Sequence, residues 1–237
     1  MAPTIDELVL ADEPGRWRAL GFELEGDDGV RLGSVRVRLA GDGARSGSAP
    51  AFLGWSLRDL ASSELDGLPT TLADGAPATP AAQATRGDRT AGQATRGESP
   101  GVHPNAITAI DHVVVMTPAL DRTVDALRAA GLELRRIREE PTPAGAPRQA
   151  FFRLGDEILE VVQEPHEVVA REGGAERPAR LWGLALVSSD LDRTVRALGE
   201  HAGEARAAVQ PGRRIATVRR SAGLAVPVAV MSARGAS

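Results

Sequence analysis

The stretch Ile110–Leu127, IDHVVVMTPALDRTVDAL, decides the fold, because its second half recurs 71 residues further along the chain. The segment LDRTVDAL at 120–127 returns as LDRTVRAL at 191–198. Each copy follows an apolar run that ends in a hydroxyl residue able to cap a helix, Thr117 in the first and Ser188 in the second. A repeat at this spacing indicates one supersecondary unit that is used twice.

Working outward from the two helices, hydrophobic periodicity predicts one strand before each helix and three after it. In the first copy we expect strands at 110–116, 132–138, 149–154 and 158–162, and in the second at 182–187, 205–209, 214–219 and 226–231. A weaker third copy is expected at the N-terminus, with strands at 5–10, 35–39 and 52–57. The sequence therefore predicts an α+β protein of repeated βαβββ modules, whose curled mixed sheets surround a cup with the helices on the outside.

The domain organisation follows from this pattern. We expect a degenerate βαβββ module over 1–72, a disordered linker over 73–106, and a paired domain over 107–237 with modules 107–165 and 180–232. The linker is rich in Ala, Thr, Gly and Pro and cannot bury enough apolar surface to offset its conformational entropy. Three modules are an uneven number, which leaves one sheet without a partner and favours a homodimer.

Composition excludes several kinds of chemistry and partner. The chain has no Cys, which rules out thiol nucleophiles, disulfides and Cys-based zinc sites. All 28 basic residues are Arg, so lysine Schiff-base chemistry and a P-loop are also excluded. A net charge of −4 creates no strong field toward nucleic acid or an anionic membrane. Because neither a signal peptide nor an apolar run of about 20 residues is present, we expect a cytoplasmic protein.

The motif IDHVVVMTPALDRTVDAL, followed at 148–165 by RQAFFRLGDEILEVVQEP, resembles a module of the vicinal oxygen chelate superfamily. This glyoxalase-like group includes glyoxalase I, extradiol dioxygenases, methylmalonyl-CoA epimerase, and bleomycin and fosfomycin resistance proteins. The resemblance covers residues 107–232 well and 4–60 loosely. It implies paired βαβββ modules whose cup binds a small-molecule ligand.

The resemblance also implies a metal site. In that family the first strand of a module often carries a metal-binding His and the last a metal-binding Glu, which map to His112 and Glu160. The residue pattern agrees, because a carboxylate between Leu159 and Val161 on a buried strand is costly unless it is paired or bound to a cation. Glu7 occupies the place of His112 in the N-terminal module and is the third candidate ligand. The metal would be divalent Fe, Mn, Zn, Ni or Co.

The last module departs from this pattern, because the repeat offset places Gly183 where His112 would be and Ala229 where Glu160 would be. If the second and third modules pair, the site has two protein ligands. If the first and second pair, Glu7 could supply the third, and catalytic metals usually have three. The competing interpretation of Glu160 is a carboxylate neutralised by an arginine such as Arg148 or Arg153.

Four further residues are candidates for substrate binding: Phe152, Trp182, Arg213 and Arg214. The two arginines follow a Pro-Gly turn and could bind a carboxylate bidentately, although a solvated turn is the alternative. Phe151 and Phe152 point to opposite faces of one strand, so that one can line the cup while the other packs in the core. Trp182 begins the strand opposite His112 and could wall the cup.

These observations leave two principal functions open and a third beside them. The first is a divalent-metal-dependent lyase, isomerase or dioxygenase that acts on a small oxygenated substrate. The second is a metal-free protein that sequesters a ligand in the cup, as the resistance proteins do. The third is an assembly role in which the odd module completes a second copy of the chain.

Overall fold

The computed structural model describes residues 2–45, 50–73, 103–142 and 145–234. The strands are β1 (Thr4–Leu10), β2 (Gly29–Leu32), β3 (Val35–Leu39), β4 (Phe52–Arg58), β5 (Thr70–Leu72), β6 (Ile107–Thr117), β7 (Glu133–Arg138), β8 (Gln149–Leu154), β9 (Glu157–Gln163), β10 (Arg180–Ser188), β11 (Arg206–Ala207), β12 (Arg214–Thr217) and β13 (Val228–Ser232). The α-helices are α1 (Pro14–Ala19), α2 (Leu120–Ala129), α3 (His166–Arg171) and α4 (Leu191–Leu198). None of these helices has the length and apolarity of a membrane span.

The two modules that contain the repeated motif form one eight-stranded sheet in the order β11-β12-β13-β10-β6-β9-β8-β7. Their first strands, β6 and β10, run antiparallel at the centre, and each pairs in parallel with the last strand of its own module, β9 or β13. The register places Val114 beside Gly183 and His112 beside Ala185, as a twofold relation between the modules requires. The predicted α+β class with βαβββ modules is confirmed.

The N-terminal residues form a five-stranded sheet in the order β2-β3-β1-β4-β5. Strand β1 pairs in parallel with β3 and antiparallel with β4, which repeats the relation of β6 to β9 and β10. The last strand of the N-terminal module is therefore β3. The sequence-based assignment of Phe52–Leu57 to that same module is wrong.

Strands β4 and β5 belong instead to a truncated fourth module. They pair in parallel, as β10 and β13 do. In both pairs a glycine of the first strand lies close to the carbonyl oxygen of the proline that precedes the second. A Cβ on Gly54 would lie 2.9 Å from the Pro69 carbonyl oxygen, and one on Gly183 would lie 2.7 Å from that of Pro227. Within the described residues each sheet thus contains two such units, of which the β4–β5 unit consists of two strands. The uneven count no longer supports a homodimer, and the oligomeric state stays a prediction.

The close approach at Gly183 yields a testable prediction. Gly183→Ala should lower the free energy of unfolding by about 1 to 3 kcal/mol, because the new methyl group meets backbone that a strand register holds in place. Urea unfolding monitored by circular dichroism measures the loss. Gly15→Ala is the control, since a Cβ there has nothing within 4 Å. Equal stability of the two variants would contradict the assigned packing.

One continuous hydrophobic core contains side chains from both sheets and from α1, α2 and α4, including the fully buried Trp17, Phe52 and Phe152. Most of the predicted linker, at 74–102, lies outside the described residues. Its last four residues, 103–106, are ordered, which corrects the boundary of the predicted disorder. His103 fixes them: its Nδ1 accepts from the Glu23 N–H at 3.0 Å, and its Nε2 donates to the Arg31 carbonyl at 3.0 Å. Burial lowers the pKa of His103, which favours this neutral form.

A buried carboxyl lies in a small cavity between the sheets. Glu157 is 4% exposed, and its Oε1 lies 3.5 Å from the Ser34 hydroxyl. The cavity, of about 260 Å³, is also lined by Thr4 and Gly155. Burial raises the pKa of Glu157 to about 7, because the charged form is poorly solvated there.

Because the folded-state pKa of Glu157 exceeds its value of 4.5 in the unfolded chain, stability should fall as pH rises from 4.5 through 7. Glu157→Gln removes this ionisation. We expect it to raise the free energy of unfolding by about 2 to 3 kcal/mol at pH 8, and by little at pH 4.5. Urea unfolding at the two pH values measures the difference. Exposed Glu204→Gln is the control, and a Glu157→Gln effect independent of pH would contradict the assignment.

Candidate functional site

A cleft of about 770 Å³ is lined by residues of the eight-stranded sheet and of the segments beside it. It is lined by strands β6 to β9, by the turn between β11 and β12, and by the residue two positions after β13. Its volume lies in the range typical of small-molecule sites. The lining residues are Asp111, His112, Arg135, Arg136, Phe151, Ile158, Glu160, Gln210, Pro211, Gly212, Arg213 and Arg234.

The structure brings His112 and Glu160 together in this cleft. They stand on the adjacent parallel strands β6 and β9, and His112 Nε2 lies 3.3 Å from Glu160 Oε2. The other carboxylate oxygen, Oε1, accepts a hydrogen bond from Gln149 on β8. Burial raises the pKa of Glu160, against the lowering effect of His112. The result is a carboxyl group that is largely withdrawn from water and faces an imidazole.

Asp111 and Arg213 fix the other side of the imidazole. Asp111 Oδ2 lies 2.8 Å from His112 Nδ1, and Arg213 Nη1 donates to Asp111 Oδ1 at 2.6 Å. Arg213 Nε also donates to the Ser232 carbonyl at 2.9 Å. Burial alone would raise the pKa of Asp111, but the hydrogen bonds from His112 and Arg213 outweigh it, so that the pKa is lowered. Asp111 is therefore ionised and accepts a hydrogen bond from His112 Nδ1–H, so that His112 Nε2 faces Glu160.

A β-bulge explains why Asp111 can do this. Strict alternation along β6 predicts that Asp111 points away from the face of His112. The register with β10 shifts between His112 and Ile110, so that Asp111 is the extra residue of the strand. Bulges re-aim side chains beside functional sites in this way.

The donor set does not fit the predicted divalent metal. His112 and Glu160 supply two ligands, and the register places Gly183 and Ala229 at the equivalent positions of the other module. Within the described ranges there is no group of three or more His, Cys, Asp or Glu side chains that could hold a metal ion. A catalytic metal usually has three protein ligands.

Glu7 does not complete the site, which corrects its assignment as the third ligand. It lies on β1 in the other sheet, where its carboxylate contacts Arg38 Nε at 3.2 Å and Arg36 Nη1 at 3.4 Å. Arg38 stands beside Val9 as Glu160 stands beside Val114. The N-terminal module thus has a Glu and Arg ion pair at the positions where the second module has His112 and Glu160.

The substrate-binding candidates divide between the cleft and elsewhere. Arg213 lines the cleft, whereas Arg214 is half-exposed and pairs with Asp192 at 3.0 Å outside it. Phe152 is fully buried in the core and does not reach the cleft, because its neighbour Phe151 occupies the cleft-facing position. Trp182 is 41% exposed and is not among the lining residues.

Sequence reasoning missed several residues that line the cleft, among them Arg136 and Arg234, and it also missed Gln149, which donates to Glu160. The alternation along β8 could have found Gln149, since it places Gln149 on the face of Phe151. The arginines suggested as partners of Glu160 also differ from its observed partners, His112 and Gln149. Arg148 pairs instead with Glu139 and Asp121.

No protein-family model matches the sequence, and no curated protein matches it. Solved structures do show similarity. Methylmalonyl-CoA epimerase from Mycobacterium tuberculosis is 19% identical, with a TM-score of 0.44, and the match covers 59% of this chain and 94% of that one. A variant of the Streptomyces coelicolor epimerase, in complex with 2-nitronate-propionyl-CoA, is 20% identical, with a TM-score of 0.43 over 55% and 98% of the two chains. A hypothetical protein from Bacillus halodurans C-125 is 13% identical, with a TM-score of 0.42 over 54% and 96%. At these identities and TM-scores the likenesses carry no statement about family, ligand or reaction.

Proposed function

We propose that the cleft binds a small organic molecule and moves a proton on it, with Glu160 as the acid–base group and His112 as its partner. The proposal rests on one observation: a largely buried carboxylate 3.3 Å from an imidazole nitrogen, in a cleft of small-molecule size. General acid–base catalysis needs a positioned group of this kind. The corresponding reaction class is isomerisation or elimination, and in this proposal it proceeds without a metal.

The surrounding residues define how such a step would proceed. Asp111 holds His112 through Nδ1–H, so that Nε2 faces Glu160 Oε2 at 3.3 Å and the two groups can share one proton. With this proton on the imidazole, Glu160 is a carboxylate that can take a proton from a carbon of the ligand and return it to the product. Gln149 donates to the other oxygen and fixes the plane of the carboxylate. Acid and base roles then belong to one group in two protonation states.

Solvent exchange tests the proposal. The full chain is incubated in D₂O with a chelator and a panel of small C–H-acidic compounds (2-oxo acids, malonate half-amides and hydroxyketones), and deuterium incorporation is followed by NMR. We expect Glu160→Gln to slow incorporation by at least about 100-fold. Glu7→Gln, at the matching strand position of the other sheet, should leave it unchanged.

Three outcomes would contradict this function: no incorporation into any compound, full incorporation with Glu160→Gln, or incorporation that occurs only when a divalent metal replaces the chelator. The last would restore the metal-dependent hypothesis with His112 and Glu160 as ligands.

A second candidate function is metal-free sequestration of a ligand. Gly183 and Ala229 favour it, because the last module has no acid–base or metal-ligating side chain at the positions equivalent to His112 and Glu160. It predicts that a ligand stabilises wild type and Glu160→Gln equally in a thermal-shift assay with chelator, and that no proton exchange occurs in either protein.

A further inference from the structure

We infer that the ligand of this cleft is a small dicarboxylate, whose two carboxylates are received by Arg136 on one side and by Arg213 with Arg234 on the other. The inference deepens the proposed function and rests on it for the location of the ligand. It stands on the charges that line the cleft and on the order of strands in the sheet.

Arg136 is the first of these groups. Its neighbours on β7 are ion-paired: Arg135 contacts Glu133 at 2.8 Å and Arg138 contacts Glu140 at 3.5 Å. In the described part of the chain Arg136 has no acidic group at ion-pair distance. Its guanidinium carbon lies 4.6 Å from the ring centroid of Phe151, which holds the cation at the cleft wall.

Arg213 is the second group. It is only 6% exposed. Its Nε donates to the Ser232 carbonyl, and its Nη1 donates to the Asp111 carboxylate. Its remaining nitrogen, Nη2, is buried with no hydrogen-bond partner. A buried donor without an acceptor is costly, so Arg213 leaves one cationic donor unsatisfied beside the cleft that it lines. Arg234 also lines this end and forms no ion pair with any described residue.

The balance of charge indicates two anionic groups on the ligand. Among the charged lining residues, Asp111 is compensated by Arg213, Arg135 by Glu133, and Glu160 faces His112. Arg234 then remains uncompensated, and Arg136, which acts on Glu160 through space, forms no ion pair in the described part of the chain. Guanidinium groups bind carboxylates through two parallel hydrogen bonds, which makes an organic acid a better fit than a neutral ligand.

The strand order places these groups on opposite sides of the acid–base pair. Arg136 lies on β7 at one edge of the sheet, whereas Arg213 precedes β12 and Arg234 follows β13 in the other half. The strands that carry His112 and Glu160, β6 and β9, lie between them. A ligand held by a carboxylate at each end therefore presents its central carbons to Glu160.

Isothermal titration calorimetry tests the inference on the full chain, with chelator and at constant ionic strength. The probes are succinate and glutarate, their neutral diamides, the monoanion butyrate, and inorganic phosphate and sulfate. We expect a dicarboxylate to bind at least about tenfold more tightly than its diamide, butyrate or either inorganic anion. Arg136→Gln should weaken dicarboxylate binding by about tenfold. Arg214→Gln should not change it, because Arg214 pairs with Asp192 outside the cleft.

Equal binding of a diamide, of butyrate, of phosphate or of sulfate would overturn the inference, as would unchanged affinity in Arg136→Gln or no binding of either dicarboxylate. The same titrations with Glu160→Gln separate the two proposals. Dicarboxylate binding that survives in this variant, without proton exchange in wild type, supports the anion site and removes only the acid–base function. Proton exchange on the panel without dicarboxylate binding removes only the anion site.

Discussion

Replacing Arg213 with methionine is expected to lower the free energy of unfolding at pH 7 by about 3 kcal/mol. The guanidinium and the Asp111 carboxylate are each only 6% exposed and lie 2.6 Å apart. Removing the cation leaves a buried carboxylate with His112 as its remaining partner, and an uncompensated buried charge costs far more than the net contribution of the pair. Urea unfolding measures the change, with Arg214→Met as the adjacent control. The free energy of unfolding of that variant should lie within about 0.5 kcal/mol of the wild-type value.

A double variant separates loss of the pair from loss of packing. If the cost arises from the orphaned charge, Asp111→Leu combined with Arg213→Met should regain most of the lost stability. Equal stability of Arg213→Met and Arg214→Met would show that the ion pair does not hold the cleft together. The Asp111 carboxylate would then need another partner to remain in place beside His112.

Glu164→Gln is expected to lower the free energy of unfolding by a similar amount, about 3 kcal/mol. The Glu164 side chain is fully buried at the end of β9, where it accepts hydrogen bonds from Arg177 and Arg180. These arginines lie at and just before the start of β10, so that the cluster joins the two modules of the eight-stranded sheet. A neutral amide cannot balance two guanidinium groups and directs its own NH₂ donors toward them.

The control for this prediction is Glu172→Gln. Glu172 approaches the same two arginines only at 3.8 to 3.9 Å, and its side chain is 37% exposed. We expect the free energy of unfolding, measured with urea, to change by no more than about 1 kcal/mol. If the two variants were equally stable, Glu164 would not be the residue that links the modules.

The sequence was sufficient for the eight-stranded sheet but not for the N-terminal one. The helix motif occurs at 120–127 and again at 191–198, each time after an apolar strand, which indicates a duplicated unit. Alternation along the strands places His112 and Glu160 on one face. Strands β3 and β4 both show alternating patterns, and nothing local distinguishes a parallel from an antiparallel neighbour. The one available signal was long-range: Gly54 with Pro69 matches Gly183 with Pro227.

The candidate site was predictable where it depends on alternation and not where it depends on register. Arg213 followed from its Pro-Gly turn, but the ion pair that buries it involves Asp111, which a β-bulge turns toward His112. A bulge is one unpaired residue, and the sequence of β6 gives no local sign of it. The choice between Phe151 and Phe152 depends on which of them pairs with Glu160, and the register selects Phe151.

Imidazole ¹⁵N NMR of the uniformly labelled chain tests the central claim, the His112–Glu160 pair, most directly. The chain has four histidines, and His112→Gln assigns the resonance. We expect His112 to be protonated at Nδ1, with an Nε2 resonance that shifts when Glu160→Gln is introduced. In the same spectrum His103 should be the neutral Nε2–H tautomer, because its Nδ1 accepts from the Glu23 N–H. A neutral His112 with its proton on Nε2, unaffected by Glu160→Gln, would contradict the proposed acid–base centre.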